Sequence, residues 1–229
     1  MKRALTISPE FMLDSVPYIH PAPSKMKIFT KCQQMRKVIL SVNVTLDGFM
    51  SGPHGELDWH FSIWNDEMGE FALQQLREVD TILLGRVAYQ SMAGYWPKAF
   101  TEPGSNKKDA EFARRMNEYN KIVFSNTLTT LEWNNSRLAG KNIRKEILAL
   151  KNGEGKDIIM WGGIGIVYTF IELGLIDEYR IWVNPVAIGE GVPLFDNLNK
   201  RLDLALTNAI TFSNGVVLLN YGLKNCPFT

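Results

Sequence analysis

The stretch 157–174, DIIMWGGIGIVYTFIELG, decides how the rest of the chain is read. Its opening run is apolar and too short for a helix, as expected of a strand buried on both faces. Gly162, Gly163 and Gly165 interrupt it, and an apolar helical pattern then runs until Gly174 ends it. A buried strand that passes through glycines straight into a helix is half of a βα crossover, and such crossovers build parallel sheets. The peptide N–H groups of such a turn can wrap a pyrophosphate. The same glycines also serve a plainer purpose, letting the helix pack closely on its strand. The turn is not a Walker loop, since no lysine followed by Ser or Thr closes it. Nor is it the Rossmann fingerprint, because the spacing is G-G-x-G and it lies late in the chain.

Working outward, the same grammar recurs. KVILSVNV at 37–44 is a first strand, DTILLG at 80–85 a second and KIVFS at 121–125 a third. Between them, Trp64, Met68, Phe71, Leu76 and Val79 trace one face of a helix. Further helices are expected in RVAYQSMAGY, KDAEFARRMNEYN and KNIRKEILALKN. After the glycine-rich stretch comes EYRIWVNPVAI, then two strands joined through Ser213-Asn214-Gly215, where Asn-Gly is a two-residue hairpin signal. The expected fold is therefore α/β: a largely parallel central sheet flanked by helices, with a C-terminal antiparallel hairpin.

Two more turns sit at strand ends, where open α/β sheets collect their ligands. In TILLGRVAYQSM, residues 81–92, Gly85 ends a strand and Arg86 opens a helix. A helix start favours anions and disfavours cations. An arginine placed there points to an anion that offsets the mismatch, although a solvated arginine also fits. In NVTLDGFM, Asp47-Gly48 lets the backbone approach a ligand, or simply turns the chain.

Composition narrows the function classes. With 229 residues, 45% hydrophobic and 21% charged, the chain reads as an ordinary globular protein. A net charge of +1 argues against nucleic acid or an anionic membrane as partner, and no apolar run is long enough to span a bilayer. Cys32 and Cys226 form no paired motif, and His20, His54 and His60 fall in no ligand spacing, so no metal is expected. Two isolated thiols fit a cytoplasmic setting. Residues 1–34 are proline-bearing and aperiodic, read as an extension ahead of one domain over residues 35–225.

In order, SVNVTLDGFM, LLGRVAYQSM, KIVFSNTL and IIMWGGIGIVYTFIELGLIDEYRIWVNPVAIGEGVPLF resemble the dihydrofolate reductase-like fold. The branch most similar is the reductase domain of bacterial riboflavin biosynthesis, the RibD C-terminal domain family. The resemblance covers roughly residues 35–224. It implies a homodimer and NADPH binding, with Thr45, Leu46, Asp47 and Gly48 near the nicotinamide and its ribose. It further implies Gly85, Arg86 and Val87 at the adenosine-side phosphates, and Ser125 and Asn126 by the adenine ribose and its 2′-phosphate. Gly162, Gly163, Ile164 and Gly165 would follow the pyrophosphate, with a cis Gly162–Gly163 peptide. The implied activity is reduction of a C=N or C=O bond in a small molecule, a heterocycle among the candidates.

The chain also departs from that pattern. Where relatives carry Thr or Ser two residues after the glycine–arginine pair, it has Ala88. Among Asp66, Glu67 and Glu70 on the first long helix, Glu67 borders the buried face, one turn before Phe71. Helix-start carboxylates are ordinary, however, because the dipole favours them. Asp47 and Glu67 are the candidate proton donors. The deaminase signature of the bifunctional riboflavin enzymes, HxE with PCxxC, is absent. Trp59, Trp64 and Trp96 are placed to stack on a planar substrate or to half-bury in the core. The rival reading is a nucleotide-binding or structural dimer without turnover, and a flavin-using oxidoreductase would also suit such a fold.

Overall fold

The computed structural model describes residues 35–99, 107–196 and 198–224. The expected extension over residues 1–34 lies outside the described residues. Six strands, β1 (Val38–Thr45), β3 (Val79–Gly85), β4 (Asn120–Phe124), β5 (Ser136–Leu138), β6 (Asp157–Met160) and β7 (Glu178–Asn184), form the parallel part of one sheet. Its order is β5-β4-β3-β6-β1-β7, continued by β10 (Val217–Leu223) and β9 (Leu204–Thr211). β10 runs antiparallel to both β7 and β9. A small separate ribbon pairs β2 (Phe49–Ser51) with β8 (Val192–Pro193).

Side chains alternate between two cores, as a period of two demands. Val38, Leu40, Val42, Leu83, Ile158 and Met160 face one core, and Ile39, Ile82, Leu84 and Ile159 face the other. Helices α5 (Ile143–Lys151) and α6 (Ile164–Glu172) cover the first face through Ile147, Val167 and Phe170. Helices α2 (Asp66–Arg77), α3 (Arg86–Ala99) and α4 (Lys107–Glu118) cover the second through Leu76, Tyr89 and Met116. Each fully buried aliphatic side chain contributes about 1.5–3 kcal/mol, and this two-sided burial accounts for the near-continuous apolar strands. A third cluster, Met68 of α2 with Trp182, Phe212, Val216 and Leu218, attaches α2 to the antiparallel end.

The two edges of the strands are built differently. At the N-terminal edge, Arg36 pairs with Asp80 and donates to Thr81 Oγ1 at 2.9 Å. Lys151 Nζ meets Asp177 at 2.6 Å, and Arg180 bridges Glu178 at 2.6 Å and Glu78 at 3.2 Å. At the C-terminal edge, a glycine ends β3 and others follow β5 and β6, and Arg137 of β5 pairs with Glu146 at 2.5 Å.

One local expectation changes. Only Gly215 of the Asn-Gly pair takes positive φ (86°), and Phe212 N bonds Val216 O at 2.8 Å, so the loop is longer than a two-residue turn. The exposed edge of the hairpin is β9, with Leu206 56% exposed, whereas the apolar VVLLNYGL strand is paired on both sides.

Lys121 illustrates how the elements lock. It is fully buried, and its Nζ donates to the carbonyls of Met116 (2.8 Å), Asn117 (3.1 Å) and Tyr119 (2.8 Å), closing the end of α4. Replacing Lys121 with methionine keeps the volume but removes the donor from the Met116 and Tyr119 carbonyls, while Asn117 O keeps the Asn135 amide at 3.1 Å. A loss on the order of 2–3 kcal/mol in urea unfolding is expected, and an unchanged midpoint would refute the capping role.

Candidate functional site

A cleft of about 2610 Å³ runs along the C-terminal ends of β5, β4, β3, β6 and β1 and under α2. That is room for more than one small ligand, since single drug-sized sites fill roughly 300–1,000 Å³. At its centre two glycine turns touch. A Cβ built on Gly163 would lie 2.8 Å from Gly85 Cα, and one on Gly85 would lie 3.0 Å from Gly163 Cα. β3 and β6 are hydrogen-bonded neighbours, so the chain can leave both strands at one level only if neither turn has a side chain.

The helices that leave these turns are unlike the others. α2 is capped by Asn65 and α5 by Asn142, and both have carboxylates in the first turn. α6 begins at Gly163 with no side-chain cap and no acid, and α3 also has no acid in its first turn. Their N-terminal N–H groups are left to whatever enters the cleft. Arg86 is exposed beside them, donating to the neutral Gln90 at 3.1 Å, and among the described residues it pairs with no carboxylate. The donor set fits a phosphate-bearing ligand.

The Gly162–Gly163 peptide is not cis, since no cis peptide occurs among the described residues. The turn is made instead by positive φ at both glycines, 63° and 95°. Gly85, Arg86, Val87, Ser125, Asn126, Gly162, Gly163, Ile164 and Gly165 all line the cleft, as does Thr127. Ser125 Oγ accepts from the N–H groups of Thr127 (3.1 Å) and Leu128 (3.0 Å), bracing the turn after β4. Lys141 was not anticipated, although the signal was there: another cation immediately before a helix cap.

Thr45, Leu46, Asp47 and Gly48 lie outside the lining of this cleft and serve a neighbouring loop. Asp47 Oδ2 accepts from Ile188 N (3.1 Å) and Gly189 N (2.8 Å), Leu46 N donates to Val186 O (2.7 Å), and Leu194 N donates to Gly48 O (2.9 Å). Hydrogen bonds from the Thr45 side chain and the Gly189 N–H hold the Asp47 carboxyl below the usual range. The GEGVPLF segment is thereby fastened to the first turn. Tyr168 fastens it again by donating to Pro193 O at 2.5 Å. Glu67 also points elsewhere: it accepts from Ser213 N (2.9 Å) and Ser213 Oγ (2.8 Å), and these bonds lower its pKa. Both candidate acids are thus ionised acceptors at neutral pH, outside the cleft wall. Asp66 and Glu70, which share α2 with Glu67, do line it.

The far end of the cleft, over β1 and β7, is aromatic. His60 on the one-turn helix α1 (Asp58–Phe61) stands 5.3 Å from the Trp64 ring and 5.1 Å from Phe61, and Trp64 is 6.0 Å from Trp182. Burial lowers the His60 pKa from 6.5 to about 4. Between those values the unfolded chain binds a proton that the native chain does not. Stability should therefore fall as pH drops through that window, by about 2 kcal/mol near pH 5. Urea titrations at about pH 7 and pH 5 should show this loss, and His60→Phe should remove most of it.

A family model, the RibD C-terminal domain, matches residues 36–218. The chain belongs to the RibD C-terminal domain family. Among relatives, the uncharacterised protein YyaP of Bacillus subtilis (strain 168) is 39% identical over 188 residues, covering 82% of this chain and 95% of that protein. A putative riboflavin biosynthesis protein from Shewanella sp. PV-4 superposes with a TM-score of 0.61 at 24% identity, covering 82% of this chain and 99% of that one. Dihydrofolate reductase from Enterococcus faecalis, complexed with NADP(H), superposes at 0.52 with 13% identity, covering 82% and 97%. At these identities the two structures establish the fold: a RibD C-terminal domain with the dihydrofolate reductase-like sheet. No helix among the described residues is long and apolar enough to cross a membrane, and no group of three metal-ligating side chains occurs among them.

Proposed function

We propose that this RibD C-terminal domain protein is an NADPH-dependent oxidoreductase that reduces a C=N or C=O bond of a small molecule. One observation carries the reading. Two glycine turns interlock where β3 and β6 end, and they open two helices without acidic first turns beside the exposed Arg86. That arrangement suits a pyrophosphate and an additional phosphate. The similarity to a reductase bound to NADP(H) supports the same choice.

Bound there, NADPH would supply a hydride. The chain's own part is to bind, orient and shield. Gly162, Gly163 and Gly165 let backbone N–H groups approach the diphosphate, and Arg86 and Lys141 supply positive charge at the same end. Consumption of NADPH absorbance with a panel of imines, carbonyls and quinones tests the proposal. Turnover with one member is the expected result, and absence of NADPH binding in a direct titration would sink it. Binding without turnover would favour a nucleotide-binding protein, a reading that the tied-down Asp47 and Glu67 keep in play.

Assembly as a homodimer belongs to the proposal. β9 is an open sheet edge with most of its side chains exposed, and unprotected edges invite pairing or cover. Light scattering of the full chain at micromolar concentration should return twice the monomer mass. A monomer mass would remove the dimer from the reading.

A further inference from the structure

The reductase reading leaves the aromatic end of the cleft to the molecule being reduced, but names no residue there that orients it. His60 lines that end, and its Nδ1 is sealed from solvent with no hydrogen-bond partner. A buried N–H without an acceptor costs more than a buried lone pair that merely lacks a donor. The proton of the neutral ring therefore belongs on Nε2, the ring nitrogen that is not sealed in this way. Around it Leu57 (37%), Trp64 (40%) and Phe61 (71%) remain exposed, an apolar rim of the kind that marks ligand sites. Trp182 and the Ser41 hydroxyl, which accepts from Trp182 Nε1 at 3.1 Å, complete the floor.

We propose that His60 is the residue that orients the substrate at this end of the cleft, its Nε2–H donating to the carbonyl or imine acceptor of a flat, uncharged ring seated there. The role rests on the reductase reading, since such an acceptor belongs to a reducible C=O or C=N group, while the donor itself is a property of this chain. A donor locked in one tautomer orients the acceptor, while the aromatic rim holds the ring and excludes water. His60 acts by hydrogen bonding alone; in turnover the hydride would go to the carbon, and a proton from water would go to the oxygen or nitrogen.

Two measurements on the full chain test it. Nitrogen-15 NMR of the histidine rings, with the His60 signals identified by their loss in His60→Gln, should show a protonated Nε2 and an unprotonated Nδ1 at neutral pH. The opposite tautomer, or an imidazolium, overturns the proposal. Calorimetric titration with isatin and with indole, in the presence of NADP⁺, reads the seat itself. Both are flat and uncharged, but only isatin carries carbonyl acceptors. Isatin should bind about 3- to 10-fold more tightly, the worth of one neutral hydrogen bond. That preference should vanish in His60→Phe and return in His60→Gln, whose amide restores a donor. Equal binding of the two rings, binding of neither, or a preference that survives in His60→Phe overturns it. Titration with NADP⁺ alone separates the two readings. If the nucleotide fails to bind while isatin is still preferred, the cofactor assignment falls and the seat stands. If it binds and isatin is not preferred, the seat falls.

Discussion

Replacing Gly163 with valine should cost on the order of 2–6 kcal/mol of stability, through a backbone conformation that valine resists and a collision it cannot avoid. At φ of 95°, any Cβ on residue 163 meets Gly85 Cα at 2.8 Å and Gly85 N at 3.0 Å. Those are backbone atoms of a buried strand end, which cannot swing aside as a flexible side chain would. Two controls isolate the cause. Gly165 has nothing within 4 Å of a built Cβ and does not take positive φ, so Gly165→Ala should leave stability within about 1 kcal/mol of the parent. Gly162 also has open space but takes φ of 63°, so Gly162→Ala should show the conformational cost alone, about 1–2 kcal/mol. Denaturant midpoints ordered in that way would establish the interlock. If Gly163→Val and Gly165→Ala unfold at the same midpoint, the two turns do not touch in solution. Whatever fraction of Gly163→Val folds should bind NADPH at least about 100-fold more weakly, because the displaced turn no longer presents its N–H groups.

Arg86→Ala should weaken NADPH by about 10- to 100-fold, since a hydrogen bond to a charged group contributes about 1.5–3 kcal/mol. Its guanidinium is exposed on the cleft and its described partner is the neutral Gln90, so little structure is lost with it. NADH lacks the 2′-phosphate, and its affinity should change by about twofold or less if Arg86 grips that group. Equal losses for both nucleotides would put Arg86 on the shared diphosphate. No loss for either would leave Arg86 a surface residue and remove the main cationic support for the nucleotide. Lys141→Ala, at the same end of the cleft, offers a second test of whether positive charge there selects the phosphate. Tryptophan fluorescence is a suitable readout, because Trp161 and Trp96 line the cleft.

The sheet was legible because its central strands are buried on both faces and so read as short apolar runs bounded by glycine or polar residues. β5, β2 and β8 were not, because strands of two or three residues carry no periodicity and are defined by their partners. The glycine turns of the cleft could be found from chain grammar alone, but not their contact, which depends on β3 and β6 being neighbours in space. The trans Gly162–Gly163 peptide departs from what the resemblance implies, because positive φ at both residues makes the turn without it. Asp47 and Glu67 show what position along the chain leaves open. Each was in a plausible segment, but what a carboxylate does is decided by the N–H groups that reach it, and those come from residues 141 and 146 positions away. His60 was passed over because its environment is assembled from α1, Trp64 and the sheet, and no motif encodes that.

The contrast between the two edges of the sheet bears on how such a chain can change over generations. Arg36, Lys151 and Arg180 fasten the strands where they begin, and the cleft opens where the same strands finish. Away from the interlocked glycines, substitutions that alter the ligand therefore fall on exposed rims, while the fastened edge can stay as it is. Descendants of one ancestor could diverge in chemistry through a few replacements at Leu57, Phe61, Trp64, residues 125–127 and Lys141 and still melt at similar temperatures. Innovation and robustness are housed at opposite ends of the same strands.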